Sequence, residues 1–102
     1  MKVENFYNKN QYLIRNGKEI IFQSYNSEIA KIDEKGNLTL GIDWDYSKTT
    51  SKHLYLFLED YFSCLKKEIQ ENIYNFWNSK TKKQFIQKMI DKKIVNYDKN
   101  MQ

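Results

Sequence analysis

The residues whose types could do chemistry together are two aspartates, Asp43 and Asp45, and the single histidine of the chain, His53. Two carboxylates near an imidazole are what general acid–base catalysis or a metal site requires. However, the sequence places no second strong nitrogen or sulfur ligand and no obvious nucleophile beside them. We therefore favour a structural role, in which Asp45 contacts the first amides of a helix or Lys48, and His53 is partly exposed on the first helical turn. We expect no catalytic residue, no metal, no cofactor and no enzymatic activity.

Trp44 and Tyr46 are the next candidates. Alternation through Leu40 and Ile42 places Trp44 on the same face of a strand if that strand continues. Tyr46 would then cover the joint between this strand and the following helix. Aromatic rings with a polar atom are also favoured in interfaces, because they bury a large area while losing few rotors. Both residues are thus candidates for partner binding, although packing in the core or at the joint is the interpretation that we favour.

A basic cluster near the C-terminus, opposed by Asp91 alone, consists of Lys80, Lys82, Lys83, Lys88, Lys92 and Lys93. If a last helix forms here, several of these ammonium groups project to water and could meet phosphates or an acidic protein surface. A solvated lysine face is the more common explanation of such a cluster. Tyr74, Trp77 and Tyr97 are near in sequence, so stacking on a nucleobase stays an alternative. We take the six lysines as candidate partner-binding residues.

Charge is unevenly distributed along the chain, whose net charge is +4. Residues 1–47 contain six basic and seven acidic residues, whereas residues 48–102 contain eleven basic and six acidic residues. Residues 48–102 therefore carry the excess of positive charge. No apolar run approaches the ~18 residues that a membrane span needs, and the one cysteine, Cys64, cannot form an internal disulfide. We expect a cytoplasmic protein without a membrane span, with Cys64 in a helix core.

The first part of the chain has the pattern of a small antiparallel sheet. Asn16-Gly17 is the strongest turn signal, because both residue types tolerate positive φ and apolar runs flank them. Two further turn signals follow the second and third of these runs. The predicted strands are residues 11–15, 18–24, 28–33 and 38–40, which form a four-stranded meander over about residues 11–42. Residues 1–10 either begin an edge strand or dock on the core, and the sequence leaves their order open.

From about Thr49 onward, apolar residues recur at helical spacing. One face of the sheet needs a cover, and this stripe is the segment available to provide it. Its members are Leu54, Phe57, Leu58, Tyr61, Phe62, Leu65, Ile69, Ile73, Phe76 and Trp77. The stripe predicts one long helix, either continuous or bent or broken near Ser63. Ser47 or Thr49 is expected to be its N-cap.

A shorter helix is expected to follow. Residues 81–84 fit a capping box, and the helix that begins there is predicted to fray from Ile94. The positions expected to face inward are Phe85, Ile86, Met89 and Ile90. The predicted fold class is therefore α+β, with one domain over residues 1–102. A four-stranded antiparallel meander packs against a long C-terminal helix plus a shorter basic helix, and the helical part covers about residues 48–94.

Three segments carry a resemblance to known proteins: IFQSYNSEIAKI at residues 21–32, LTL at residues 38–40 and WDYSKTTSKHL at residues 44–54. Over about residues 12–60 the chain resembles a group of small proteins of unknown function that phages and other mobile elements of Gram-positive bacteria carry. The resemblance is silent on activity. Small phage proteins without catalytic residues often act by binding and blocking a host enzyme, and anti-CRISPR proteins are one prominent class.

The resemblance implies a non-enzymatic inhibitor that binds a host defence protein in the cytoplasm of the bacterial host. The most concrete target is a Cas nuclease or its ribonucleoprotein. A basic chain disfavours DNA mimicry and is better suited to an acidic surface of the effector, or to its guide or target strand. The alternative is a small nucleic-acid-binding or regulatory protein that uses the lysines of the last helix. A homo-oligomeric structural module is a third possibility, and the sequence leaves the oligomeric state open.

Overall fold

The computed structural model describes residues 2–76 and 82–101 of the chain. In these residues six strands form one sheet, and three α-helices and one 3-10 turn accompany it. The strands are β1 (Lys2–Phe6), β2 (Asn8–Asn16), β3 (Glu19–Ser24), β4 (Ser27–Ile32), β5 (Leu38–Gly41) and β6 (Asn96–Asp98). The helical elements are α1 (Lys48–Asp60), the 3-10 turn (Phe62–Cys64), α2 (Lys67–Phe76) and α3 (Lys82–Asp91). The α+β class predicted from the sequence is confirmed.

The sheet has the strand order β1-β2-β3-β4-β5-β6, and its first five strands are antiparallel neighbours. The four predicted strands correspond to β2 through β5, but the prediction of four strands was too few. β1 extends one edge, where Lys2 pairs with Arg15. β6 extends the other edge and runs parallel to β5. The sheet is thus a meander of five strands with one parallel strand added.

The C-terminal segment differs from the predicted fraying helix. α3 ends at Asp91, and Lys93 adopts a left-handed backbone with φ 60°. Backbone amides of Ile94 and Val95 then bond to the carbonyl oxygen of Met89, which satisfies the end of the helix and redirects the chain. The segment therefore returns to the sheet as β6 instead of continuing as a helix.

The long helix is broken near Ser63, which was one of the two predicted forms. The amide of Lys66, in the break, donates to the carbonyl oxygen of Gly36 at 2.9 Å. Gly36 has φ 83°, and a Cβ there would lie 2.5 Å from the Lys66 nitrogen. Only glycine fits this approach, so the break is fastened to the turn between β4 and β5. Cys64 lies in the 3-10 turn and is exposed, so the prediction of a core thiol was wrong.

The stripe covers the sheet as predicted, because its residues and those of the sheet face form one buried cluster. Phe22 of β3 and Phe57 of α1 are both fully buried and stack with ring centroids 5.8 Å apart. The side chain of Phe76 and all of Trp77 lie outside the described residues. None of the helices in the described part of the chain is long and apolar enough to cross a membrane. This layering fixes α1 over the sheet, and α1 in turn positions the residues considered next.

Candidate functional site

Residues 42–47, called the junction below, connect β5 to α1. The amide of Trp44 bonds to the carbonyl oxygen of Gly41 at 3.2 Å, and the amide of Tyr46 bonds to that of Asp43 at 3.1 Å. Ser47 ends this run of turns with extended backbone, and its Oγ accepts from the amide of Thr50 at 3.1 Å. Ser47, one of the two residues predicted for this position, is therefore the N-cap. The consecutive turns send the side chains of the junction in different directions.

Trp44 points into the core and is only 3% exposed. An indole buried to this extent packs against sheet and helix and has no surface to offer a partner. Of the two roles considered for Trp44, the burial favours packing, and the candidate role in partner binding is corrected accordingly. Tyr46 is the opposite case, because its side chain is 80% exposed. The prediction that Tyr46 covers the joint was wrong, and its ring stands in water.

Tyr46 borders a cleft that flanks the junction. This tyrosine cleft has a volume of about 460 Å³ and is lined by Ser24, Tyr25, Asn26, Ser27, Ile29, Asp43, Tyr46 and Thr50. Tyr25 is 56% exposed, so two accessible tyrosine rings border the same depression. Asp43 stands in its wall, where Oδ2 accepts from the Oγ of Ser27 at 3.1 Å. The cleft thus combines two aromatic rings with one carboxylate.

Two residues of the tyrosine cleft, Ser24 and Thr50, belong to a group of four buried polar side chains. Ser24 and Thr50 share a hydrogen bond of 3.3 Å between their hydroxyl oxygens. Gln11 is the cross-strand partner of Ser24 and is buried, and its Oε1 has no hydrogen-bond partner in the described structure. His53 is buried one helical turn after Thr50, with Nδ1 2.8 Å from the carbonyl oxygen of Thr49. Among the described residues, these four side chains are the polar part of the core.

The prediction that His53 is partly exposed was wrong. His53 follows Thr50 by three positions and precedes Phe57 by four, so all three lie on the sheet-facing side of α1. Asp43, Asp45 and His53 consequently do not converge on one point. Among the described residues, no group of three or more histidine, cysteine or acidic side chains could hold a metal ion.

On the other side of the junction lies the lysine cleft, with a volume of about 590 Å³. Its lining residues are Asp45, Ser47, Lys48, Ser51, Lys52, Tyr55 and Lys83. The Oδ2 of Asp45 is 3.3 Å from the Nζ of Lys83, whereas the sequence predicted contacts with helix amides or Lys48. Burial raises the pKa of Tyr55, and the nearby ammonium group of Lys83 partly offsets this increase. The cleft joins the start of α1 to the start of α3.

The six candidate lysines do not form one face. Lys82 is half-buried with its Nζ 5.7 Å from the centroid of the Tyr55 ring, and Lys83 lines the lysine cleft. Lys88 is exposed on α3 but lies five residues after Lys83, which rotates it by about 140° around the helix. The exposed Lys92 and Lys93 follow the end of α3. Lys80 lies outside the described residues. The structure therefore brings Lys82 and Lys83 near the junction and separates them from the remainder.

Sequence reasoning missed the part played by Tyr25 and Ser27, which it treated only as turn residues. An aromatic residue inside a turn signal was the one available clue, since turns favour small polar residues. The pairing of Tyr25 with Tyr46 depends on the fold, because 21 positions separate them in the chain.

Comparison with known proteins gives one match. No curated protein and no solved structure matches the chain. Residues 1–75 match a family of unknown function, DUF8033. The matched range includes β1 through β5, α1 and the junction, so it contains every lining residue of the tyrosine cleft. It ends before α3, which supplies Lys83 to the lysine cleft. Because the match covers well over half of its length, the chain belongs to the DUF8033 family.

Proposed function

We propose that this chain is a non-enzymatic inhibitor that binds a host defence protein, and that Tyr46 at the junction is a main contact. The resemblance to phage and mobile-element proteins suggests a defence protein of the bacterial host, in the cytoplasm. A Cas effector is the most concrete target. The observation that carries the proposal is the exposure of Tyr46, 80%, at the border of the tyrosine cleft.

Single exposed tyrosines are common, but two that border one cleft form a surface that resembles a binding interface. Interfaces are enriched in tyrosine, and the residues that contribute most to binding free energy cluster around such side chains. The ring of Tyr46 makes little use of its area in the free protein, since most of it is in water. A partner that covers Tyr46 and Tyr25 would therefore gain apolar contact without first disrupting the core.

The lysine cleft adds a second contact area on the other side of the junction. Lys48, Lys52 and Lys83 line it, and Asp45 supplies the one carboxylate among its described lining residues. The excess of positive charge is complementary to an acidic protein surface, and complementary charge accelerates association and selects partners. One partner surface spanning the junction could contact both clefts.

The proposal is tested by capture from a lysate of the bacterial host, with and without nuclease treatment. The bait variants are the unchanged protein, Tyr46→Ala and the control Tyr74→Ala, which removes a ring that is 72% exposed on α2. We expect a host protein that stays bound after nuclease treatment, stays bound to Tyr74→Ala and is lost with Tyr46→Ala. Equal capture by the two variants, or no nuclease-resistant capture, would overturn the proposal.

Direct binding of nucleic acid is the second candidate function, and the lysine cleft is the observation that favours it. Three ammonium groups beside the ring of Tyr55 provide both phosphate contacts and an aromatic surface. In that case, affinity for labelled single-stranded or duplex DNA should fall steeply with salt. The slope of the logarithm of the binding constant against the logarithm of the salt concentration should decrease in magnitude by about 2 in the double variant Lys52→Gln, Lys83→Gln, one for each lost phosphate contact. Absence of salt-sensitive DNA binding would exclude this candidate and leave the first.

A further inference from the structure

We propose that the tyrosine cleft binds a basic side chain of the partner protein, with arginine preferred over lysine. This inference rests on the proposed function, because it names the chemistry of the partner surface that Tyr46 meets. The defined occupant is one arginine residue projecting from a folded protein or an extended segment.

The charge of the lining is unusual for this chain. The net charge is +4, yet among the described residues that line the tyrosine cleft there is no lysine or arginine. The one charged group there is Asp43, which accepts from Ser27 and has no ion pair in the described structure. A carboxylate beside tyrosine rings attracts a cation through both its charge and the negative faces of the rings.

The chain already holds its own arginine with the same two kinds of group. The guanidinium carbon of Arg15 lies 5.6 Å from the centroid of the Tyr61 ring, and Nη2 donates to the Tyr61 hydroxyl at 2.9 Å. On its other side, Nε is 3.6 Å from Oε1 of Glu4. A tyrosine ring and a carboxylate thus contact an arginine side chain elsewhere in this protein. The tyrosine cleft presents two rings and a carboxylate without an internal cation between them.

Tyr25 is held in a backbone conformation that does not suit it. Its φ is 56°, in the left-handed region that tyrosine adopts rarely and that glycine and asparagine tolerate well. The described hydrogen bonds of Tyr25 are made by its backbone, to Asn10 and Gln23. Tyr7 has a similar φ of 65°, but its hydroxyl donates to Asp60 and so has a structural partner. Among the described residues the side chain of Tyr25 makes no such hydrogen bond, which points to a role in contacting a partner.

Arginine is the better fit of the two basic residues. Its planar guanidinium can lie flat on a tyrosine ring while its edge donates to a carboxylate, whereas the ammonium group of lysine is a strongly hydrated point charge. A host protein that handles nucleic acid presents such arginines on its own binding surface. The inference thus predicts that the partner places one arginine in the tyrosine cleft, beside the acidic groups that meet the lysine cleft.

The test uses nuclear magnetic resonance titration of the free protein with N-acetylarginine amide. Its neutral counterpart, N-acetylcitrulline amide, has nearly the same shape and serves as the matched probe. We expect saturable shifts confined to residues 24–27 and 43–46 with the arginine probe, and none that saturate with the citrulline probe. N-acetyllysine amide should bind more weakly than the arginine probe. Equal shifts with arginine and citrulline, or shifts mapping elsewhere, would overturn the inference.

Two variants make the titration specific. Asp43→Asn keeps an oxygen that can accept from Ser27, and Tyr25→Asn suits the left-handed backbone, so both should fold. Each variant should weaken binding of the arginine probe by about two- to fivefold, the range expected for one exposed cation–π or ion-pair contact. Tyr74→Ala should leave the affinity unchanged. Unchanged affinity in both cleft variants would contradict the inference.

The titration does not involve the host protein, so the two proposals fail separately. If arginine does not bind the cleft but nuclease-resistant capture still depends on Tyr46, the cleft inference is wrong and the proposed function stands. If arginine binds as expected but no host protein is captured, the proposed function is wrong and the binding chemistry of the cleft stands.

Discussion

Asp43 and Asp45 lie two positions apart in the junction and have opposite surroundings. Asp45 faces the lysine cleft and pairs with Lys83 at 3.3 Å. Asp43 faces the tyrosine cleft, where its described partner is the hydroxyl of Ser27. The same residue type therefore neutralises a cation in one cleft and supplies uncompensated negative charge in the other. Tertiary neighbours, and not the local sequence, decide which of these roles an aspartate has.

The junction is one short connection, yet its side chains line two different clefts. Trp44 lies between the two aspartates and is buried, so it anchors the connection while its neighbours point outward. Ser47 fixes the first turn of α1 and so the direction in which Lys48 and Lys52 project. Variants of Trp44 should therefore affect both clefts, whereas a variant of Asp43 or of Asp45 should affect only the cleft that this aspartate faces.

The largest expected effect is on stability, in Trp44→Ala. Removing a buried aromatic side chain from a packed core costs about 3–5 kcal/mol, which should lower the denaturation midpoint strongly. Chemical denaturation followed by circular dichroism gives the free energy of unfolding. Tyr46→Ala, two positions on, should change that free energy by less than about 0.5 kcal/mol, because the ring is exposed. Similar losses in the two variants would show that Trp44 does not anchor the junction.

The next effect concerns the N-cap. Ser47→Ala removes the oxygen that accepts from the amide of Thr50, which should cost about 1 kcal/mol. The free energy of unfolding measures this loss, and Ser63→Ala provides the control because Ser63 is exposed and caps no α-helix. An equal, small change in both variants would mean that the start of α1 is fixed by packing alone.

A gain in stability is expected in Tyr25→Asn. Asparagine adopts the left-handed conformation more readily than tyrosine, so the variant should unfold at a higher temperature and gain about 1 kcal/mol in free energy of unfolding. Differential scanning calorimetry measures the change, and Tyr74→Asn is the control on a regular helix. A loss of stability would show that the ring of Tyr25 contributes to packing, which would weaken its proposed contact role.

The smallest effect separates the two aspartates directly. A double-mutant cycle of Asp45→Asn with Lys83→Gln should give a coupling free energy of about 0.2–1 kcal/mol, at the low end because water screens this exposed pair. The coupling should decrease further at high salt. The parallel cycle of Asp43→Asn with Lys83→Gln should give no coupling free energy. Equal coupling in the two cycles would contradict the division of the junction into two sides.

Much of the fold was predictable because it follows from burial. Strands β2 through β5 have apolar residues and clear turn signals, and Ser47 has the residue type of a cap. The stripe from Leu54 onward required a cover for the sheet, and Phe57 on Phe22 provides it. Strand β1 was predicted only as one alternative for residues 1–10, and β6 was missed, because nearly all of their side chains are exposed. Backbone hydrogen bonds to neighbouring strands hold β1 and β6 in place. Such bonds produce no periodic pattern of apolar residues in the sequence.

The candidate site was less predictable, because it combines residues that are distant in the chain. Tyr25 and Tyr46 line the same cleft only after the sheet and α1 have packed. The lysines near the C-terminus were correctly noted as a cluster in sequence, but the helical period separates Lys83 from Lys88. Lys82 and Lys83 gain their partners, Tyr55 and Asp45, from the docking of α3 beside α1.

Photo-crosslinking from position 46 in a lysate of the bacterial host tests whether Tyr46 contacts a partner protein. Tyr46 is replaced by p-benzoylphenylalanine in one bait, and Tyr74 is replaced in a second. After irradiation and nuclease treatment, we predict one host protein covalently attached at position 46, with an arginine of that protein next to the crosslinked site, and no such product at position 74. The same products at both positions, or none at position 46, would contradict the account.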